Sequence, residues 1–284
     1  MTFASVKELV NLSSDKPLWQ VVLSSDAYLR GVPEEEPYQK MLKIWHAMKK
    51  TVECYQSKER SASGLVGGMG GAVEQTAFPL CDNFMQDIIS TALKTGECNA
   101  CMKCIVAAPT AGASGVLPAV LLPLQKKEGF NDEKMITALF VAGGFGQIIA
   151  SKASISGAEG GCQAEIGSAS GMAAAAIVSL MGGTAYQMEQ ACSMALSNML
   201  GLVCDPVGGL VEVPCVWRNV AGATNALTSA QMALSNISFP IPCDEVIEAM
   251  RSVGDALPSS LRETGKGGLA ATVTGKKIAT EVLS

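Results

Sequence analysis

Three of the ten cysteines in this chain of 284 residues lie close together, at Cys98, Cys101 and Cys104 in the stretch GECNACMKC. Thiolate is the soft ligand that favours zinc and iron-sulfur clusters, so this spacing is compatible with a metal site. A helix also places residues three apart on neighbouring faces, and three thiols could equally line one packed side. The spacing alone leaves both interpretations open.

A second set of cysteines is scattered: Cys162 in SGAEGGCQAEIG, Cys204 in GLVCDPVGG and Cys215 in VEVPCVWRN. Each lies near glycine or proline, at the end of an element, where backbone amides can hydrogen-bond a sulfur and the chain can wrap a bulky cofactor. The chain has one histidine, His46, which excludes sites that need several imidazoles. His46 falls off the apolar stripe of its predicted helix, which indicates an exposed histidine.

Glycine-rich segments punctuate the chain between its apolar stretches; they are SGLVGGMGG, PTAGASG, ISGAEGG and TGKGG. Glycine lets backbone N–H groups approach an anion closely, so a small carboxylate or phosphate is a natural guest. Neither nucleotide fingerprint is present, because GLVGGMGG lacks the lysine of a P-loop and follows no convincing strand. Tight turns and close helix packing explain the same composition equally well.

Composition argues against several classes of partner. The net charge of -5, the pI near 5.1 and the 5% of aromatic residues provide no basic, aromatic surface for nucleic acid. The N-terminal stretch MTFASVKELV has no basic segment followed by an apolar run, so we expect a reducing cytoplasm in which the thiols are free or metal-bound. The uncharged run 166–188 is long enough to span a membrane. Its alanine, glycine and serine content favours a tightly packed core helix instead.

The sequence predicts an all-α, mainly helical fold. Residues 1–60 carry 17 charged side chains and the other 224 residues carry 30, so we place an N-terminal helical extension at 1–60 and a catalytic unit at 61–284. In the extension, an apolar stripe is formed by Met41, Ile44, Trp45 and Met48. In PCDEVIEAMRSVG, we expect a helix that starts near Cys243 or Asp244 and is closed by Gly254.

Four longer motifs resemble one enzyme family. They are ASISGAEGGCQAEIGSASGMAAAA, NMLGLVCDPVGGLVEVPC, APTAGASGVLPA and LRETGKGGLA, and they are similar to the iron-sulfur L-serine dehydratases, in particular the separate α chain of the two-subunit bacterial form. The resemblance runs from about Ser63 to Ala271. It implies a catalytic unit whose glycine-rich loops surround a 4Fe-4S cluster, and a separate β chain as partner.

The resemblance also implies a ligand set. It makes Cys162, Cys204 and Cys215 the cluster ligands and leaves the closely spaced triplet without a metal role. The remaining cysteines are then expected to be buried free thiols; they are Cys54, Cys81, Cys192 and Cys243. Three ligands leave one iron open to substrate, as in an open zinc site, which suits Lewis-acid elimination of water from L-serine without pyridoxal phosphate. Pyruvate and ammonia are the expected products.

The family motifs suggest roles for further residues. We expect catalytic contacts from Ser63, Thr110 and Ser114, and substrate binding by Gly64 and Gly112. Ser154, Ser156 and Arg262 are candidates for holding the substrate carboxylate or steadying the cluster. The general base stays open between Lys103, Glu165 and a histidine of the β chain.

Two other functions are compatible with the same residues. A related iron-sulfur lyase could act on L-cysteine and release sulfide. A non-catalytic chain could use some of its thiols to bind zinc or transfer a cluster. Turnover of L-serine against L-cysteine, and metal content against activity, would separate these readings.

Overall fold

The computed structural model describes residues 2–77 and 80–283. The fold of these residues is built from helices joined by loops and short helical turns. No strand occurs in these two ranges, which confirms the all-α prediction. A single isolated bridge joins Cys204 to Arg262. The helices are α1 Val6–Leu12, α2 Leu18–Arg30, α3 Glu35–Glu53, α4 Met69–Gln75, α5 Asn83–Ala100, α6 Val116–Glu128, α7 Asp132–Lys152, α8 Gly157–Gly160, α9 Ser168–Leu180, α10 Ala185–Ser197, α11 Cys215–Leu234, α12 Cys243–Ala256 and α13 Val273–Leu283. A π-helix spans Gln163–Gly167, and short 3₁₀ turns span Val207–Gly209, Ser259–Leu261 and Gly268–Ala271.

Helix α9 is the centre of the core. Almost all of its residues are buried, and α7, α10, α11 and α6 pack around it. Four consecutive alanines, 173–176, have no exposed surface. Such small side chains let the neighbouring helices approach closely. Because α9 has no polar face, helices can pack around its whole circumference.

The uncharged run 166–188 lies in this core, but it is not one helix. The run begins in the π-helix, continues through α9 and is broken at Gly182, whose φ of +78° is left-handed. Thr184 then starts α10 with a reciprocal capping box to Gln187. Within the described residues, the one helix long and apolar enough for a membrane span is instead α7, and 67% of its apolar window is buried inside the protein.

The N-terminal helices share the core of the rest of the chain. Trp45 is fully buried and its indole N–H donates to Asp132 at the start of α7 (2.9 Å). The Asp244 carboxylate in α12 accepts from the backbone N–H groups of Val6 and Lys7 (both 3.0 Å), so it caps α1. The domain boundary near Ser61 stays a prediction.

Two local expectations are wrong. Ile44 belongs to the predicted apolar stripe, yet it is exposed, whereas Trp45 and Met48 are buried; the face of α3 that meets the core is narrower than the pattern indicates. Gly254 does not close α12, which continues to Ala256. Glycine is needed inside this helix because α8 approaches closely: a Cβ on Gly254 would be 3.0 Å from the Gly160 Cα.

Candidate functional site

Three cysteines that are far apart in sequence converge beside the π-helix. Cys162 directly precedes that helix, Cys215 is the first residue of α11, and Cys204 lies on an extended segment whose backbone pairs with Leu261 and Glu263. All three are buried and free of disulfides. Burial, and for Cys204 and Cys215 the nearby Cys162 thiol, raises their pKa values, to about 12 for Cys162 and Cys215. The three thiols therefore lie in one buried region of the protein.

This donor set fits an iron-sulfur cluster better than a single ion. Across residues 2–77 and 80–283, no three cysteine, histidine or acidic side chains stand close enough together to hold one metal ion. A polynuclear cluster takes each thiolate on a different iron, so its ligands stand further apart. Three soft thiols, buried and without a covalent partner, are the kind of donors that such a cluster takes.

Glu165 lies next to these cysteines, in the π-helix. Its side chain is half-buried, and this partial burial raises the pKa of the carboxyl, while a hydrogen bond from the Thr110 hydroxyl to Oε1 (2.6 Å) opposes that rise. A Cβ on Gly157 would be 2.6 Å from Glu165 Oε2 and 2.9 Å from Cys204 Sγ. Glycine at 157 therefore makes room for a carboxylate and a thiol at the same place.

One predicted substrate loop, residues 109–115, lies against this carboxylate. In the loop 109–115, a Cβ on Gly112 would be 3.3 Å from Glu165 Oε1 and 3.5 Å from Val211. Ser114, in the same loop, is buried, and its hydroxyl has no hydrogen-bond partner among the described residues. Thr110, Gly112 and Ser114 are thus brought to the first turn of α6, at Val116.

The other predicted loop is attached through Glu212, a buried residue that the sequence analysis missed. The hydroxyls of Ser61 and Ser63 both donate to Glu212 Oε2, at 2.7 and 2.5 Å. Gly64 follows with a left-handed φ of +75°, which closes the turn. Glu212 is three residues before Cys215, so this contact links the Ser63 loop to the segment that carries a predicted ligand.

Asn219 ties the second loop to the same segment. Its side chain is buried; Nδ2 donates to the carbonyl oxygens of Gly112 (2.8 Å) and Cys215 (2.9 Å), and Oδ1 accepts from the Gly115 N–H (2.8 Å). Residues three and four positions apart share one face of a helix. The stretch CVWRN therefore contained a signal for Asn219 and for Arg218, since both follow Cys215 by one turn.

Among the described residues, the side chains of Ser154, Ser156 and Arg262 are not seen to contact the three cysteines, although the Arg262 backbone bridges to Cys204 and Ser156 directly precedes Gly157. Ser154 and Arg262 line a cleft of about 530 Å³ between the end of α7, α8 and α12. Ser154 Oγ accepts from the Ser156 N–H (3.0 Å), and the Arg262 guanidinium donates to the carbonyls of Leu257 and Asp255. These three residues are not brought to the Thr110 loop, and their roles stay a prediction.

The closely spaced cysteine triplet is not a compact cluster of ligands. Cys98 is buried in the last turn of α5 and points its thiol to the Thr51 carbonyl (3.6 Å), Cys101 is half-buried, and Cys104 is exposed. Lys103 is held in an ion pair with Glu59. Cys98 and Cys101 line one small cavity and Cys104 is not among its lining residues, and the absence of a metal role for the triplet stays a prediction.

The other cysteines divide into two pairs. Cys192 and Cys243 are buried and free, as expected. Cys54 is exposed at the end of α3 and Cys81 is half-buried, so the expectation of burial is wrong for these two. His46 is exposed, as predicted, with Nε2 3.3 Å from Asp132.

Comparison with known proteins identifies the family of the chain. The family model for the serine dehydratase alpha chain matches residues 13–270. The chain belongs to the serine dehydratase alpha chain family. The family predicted from the sequence motifs is therefore confirmed.

Relatives of two lengths are similar to the chain. It is 47% identical over 283 residues to the "Probable L-serine dehydratase, alpha chain" of Bacillus subtilis, covering 97% of this chain and 94% of that one. It is 48% identical over 201 residues to the "L-serine dehydratase, alpha chain" of Peptoniphilus asaccharolyticus, covering 71% and 69%. The "L-serine dehydratase" of Streptomyces coelicolor is 34% identical, and the match covers 95% of this chain and 61% of that longer protein.

Proposed function

We propose that this chain is the cluster-bearing α chain of an L-serine ammonia-lyase that converts L-serine to pyruvate and ammonia. The observation that carries the proposal is the convergence of Cys162, Cys204 and Cys215 with Glu165 and two glycine-rich loops. Family membership supports the same reaction, because the relatives are named L-serine dehydratases. No observation favours the L-cysteine lyase or the non-catalytic chain.

The three cysteines would hold a 4Fe-4S cluster. When bound, a cluster with three protein ligands supplies a Lewis-acidic iron that makes the β-hydroxyl of serine a better leaving group. The protein supplies the surroundings: the thiols lie in the interior, and the absence of a side chain at Gly157 leaves room for the Cys204 thiol. Burial also keeps water away from the reactive intermediate.

The substrate carboxylate would lie at the start of α6. The loop 109–115 leads into this helix, whose N-terminal end carries a partial positive charge. The buried Ser114 hydroxyl lacks a partner there, and the Asn219 side chain fixes both Gly112 and Gly115. The loop with Ser63 and Gly64 would border the substrate site, where the hydrogen bond from Ser63 to Glu212 holds it.

Glu165 is the group of this chain that we assign to proton transfer. Elimination breaks the Cα–H and Cβ–O bonds of serine and forms a carbon-carbon double bond, so a base must take the Cα proton as hydroxide leaves as water. Glu165 is hydrogen-bonded to Thr110 and lies next to Cys204, whereas Lys103 is paired with Glu59. The resulting aminoacrylate tautomerises to an imine, and water releases ammonia and pyruvate.

A separate β chain would complete the enzyme. The match covers 61% of the longer Streptomyces protein, and relatives of about this chain's length are called alpha chains, which supports a partner chain. A reducing cytoplasm suits ten cysteines without a disulfide. Both statements belong to the proposal.

The test is turnover of the anaerobically purified protein with and without its β chain. Pyruvate release from L-serine, in excess of that from L-cysteine, is expected, and Glu165→Gln should lower it at least 100-fold without loss of iron. Glu128→Gln, an exposed carboxylate at the end of α6, is the matched control. Unchanged turnover in Glu165→Gln would overturn the assignment of Glu165 as the base, and preference for L-cysteine would overturn the proposed substrate.

A further inference from the structure

Arg218 is a buried arginine with contacts on both sides of Cys204. Its side chain is 15% exposed, and it follows Cys215 by one turn of α11. Nη1 donates to the carbonyl of Val203 (2.7 Å), and Nη2 donates to the Asp205 carboxylate (2.8 Å). One guanidinium therefore fixes the residues immediately before and after a predicted ligand.

The same guanidinium lies beside a second predicted ligand. Burial raises the pKa of the Cys162 and Cys215 thiols, and the positive charge of Arg218 opposes that rise at both. Glu165 acts against Arg218 on both thiols, and Glu263 does so on Cys215. Arg218 thus stands on the helix of one cysteine, next to the thiol of another and around the third.

Asp205 orients this arginine. Its side chain is 4% exposed; Oδ1 accepts from Arg218, and Oδ2 accepts from the Leu269 N–H (2.7 Å). Gly268 has a φ of +56°, and a Cβ there would lie within 3 Å of the Asp205 carboxylate. The glycine-rich TGKGG segment therefore leaves space for Asp205, which in turn holds the guanidinium in one orientation.

We propose that Arg218, held by Asp205, is a positioning residue that fixes the three cluster-binding cysteines and sets the reduction potential of the cluster. The inference rests on the proposed function, because it requires a cluster on Cys162, Cys204 and Cys215. Hydrogen bonds to cysteine sulfurs and net charge both tune the potential of an iron-sulfur cluster. A positive charge favours the reduced form, so the arginine raises the potential and the aspartate lowers it.

The experiment is an anaerobic redox titration of the full chain with its cluster, followed by visible absorbance and iron content, on four variants. Arg218→Met should lower the potential, with a roughly tenfold change in the reduction equilibrium, about 59 mV for one electron. Asp205→Asn should shift it the opposite way. Arg218→Lys keeps the charge and loses the forked hydrogen bonds, so its potential should stay near that of the wild type while iron is lost faster to a chelator. Arg30→Met, far from the cysteines on α2, should change nothing.

Opposite shifts in Arg218→Met and Asp205→Asn support the inference, because a purely structural role would not change sign between them. If Arg218→Met does not fold with its cluster, Arg218→Lys and Asp205→Asn still decide. Shifts in the same direction, or unchanged potentials and iron retention in variants of a cluster-containing protein, overturn the inference alone. Wild-type protein without a cluster overturns the proposed function and this inference with it.

Discussion

Replacing Asn219 with alanine should uncouple the predicted substrate loop from the segment that carries Cys215. The substitution leaves the Gly115 N–H and the Gly112 carbonyl without their partner, in a place where the wild-type side chain is 1% exposed. The Cys215 carbonyl also loses a hydrogen bond, but we do not count it because it lies in the first turn of α11, where a helix pairs its carbonyls with backbone N–H groups. A buried polar group left unpaired costs about 1–3 kcal/mol, so two give roughly 2–6 kcal/mol. The lower end applies if water fills the space of the side chain.

Urea unfolding of the full chain without iron measures this loss directly, because the change in midpoint multiplied by the slope gives the change in unfolding free energy. Asn219→Asp should be worse than alanine at neutral pH, since an oxygen then faces the carbonyls of Gly112 and Cys215. Asn198→Ala, an exposed asparagine paired with Asn225, is the control and should stay within about 0.5 kcal/mol of wild type. An equally small effect of Asn219→Ala would refute the reasoning.

Three further predictions concern separate parts of the molecule. Gly157→Ala should lower L-serine turnover at least tenfold, because its Cβ would collide with Glu165 and Cys204, whereas Gly143→Ala has open space and should leave turnover unchanged. Thr110→Val should lower turnover by about tenfold, and a serine at that position should restore most of it; equal turnover in both would show that the hydroxyl is dispensable. Burial opposes ionisation of Asp132, but hydrogen bonds from Lys49, Gln125 and Trp45 outweigh it and hold its pKa well below the usual range. The stabilisation by ionised Asp132 is therefore present above about pH 4, the unfolded-state pKa, and is lost on further acidification. The difference in urea midpoint between wild type and Asp132→Asn should shrink over that acidic range. A difference that stays constant with pH would contradict this prediction.

The sequence was most informative where long motifs carry the chemistry. The motifs around Cys162, Cys204 and Cys215 predicted the family, and the structure places these residues together although 53 positions separate the first from the last. The break of the 166–188 run was not predicted, although a glycine pair precedes the threonine and glutamine of a capping box there.

Other features depend on partners that a local pattern does not show. Asn219 contacts Gly112, which is 107 residues away in sequence. Helix periodicity could place Asn219 on the same face as Cys215, but it could not show which loop the side chain contacts. Gly254 resembles a helix stop in sequence, yet its place is set by the approach of Gly160 from another helix. Ile44 is exposed because the core contacts a narrow face of α3, and the apolar period does not give that width.

The central claim is that the scattered cysteines, and not the closely spaced triplet, hold a catalytic cluster. The most direct measurement is the iron and acid-labile sulfide content of anaerobically purified Cys162→Ala and Cys101→Ala, together with pyruvate release from L-serine in the presence of the β chain. We predict that Cys162→Ala loses both the cluster and the activity, and that Cys101→Ala retains both. A Cys101→Ala protein without its cluster, or a Cys162→Ala protein with full iron content and turnover, would contradict the account.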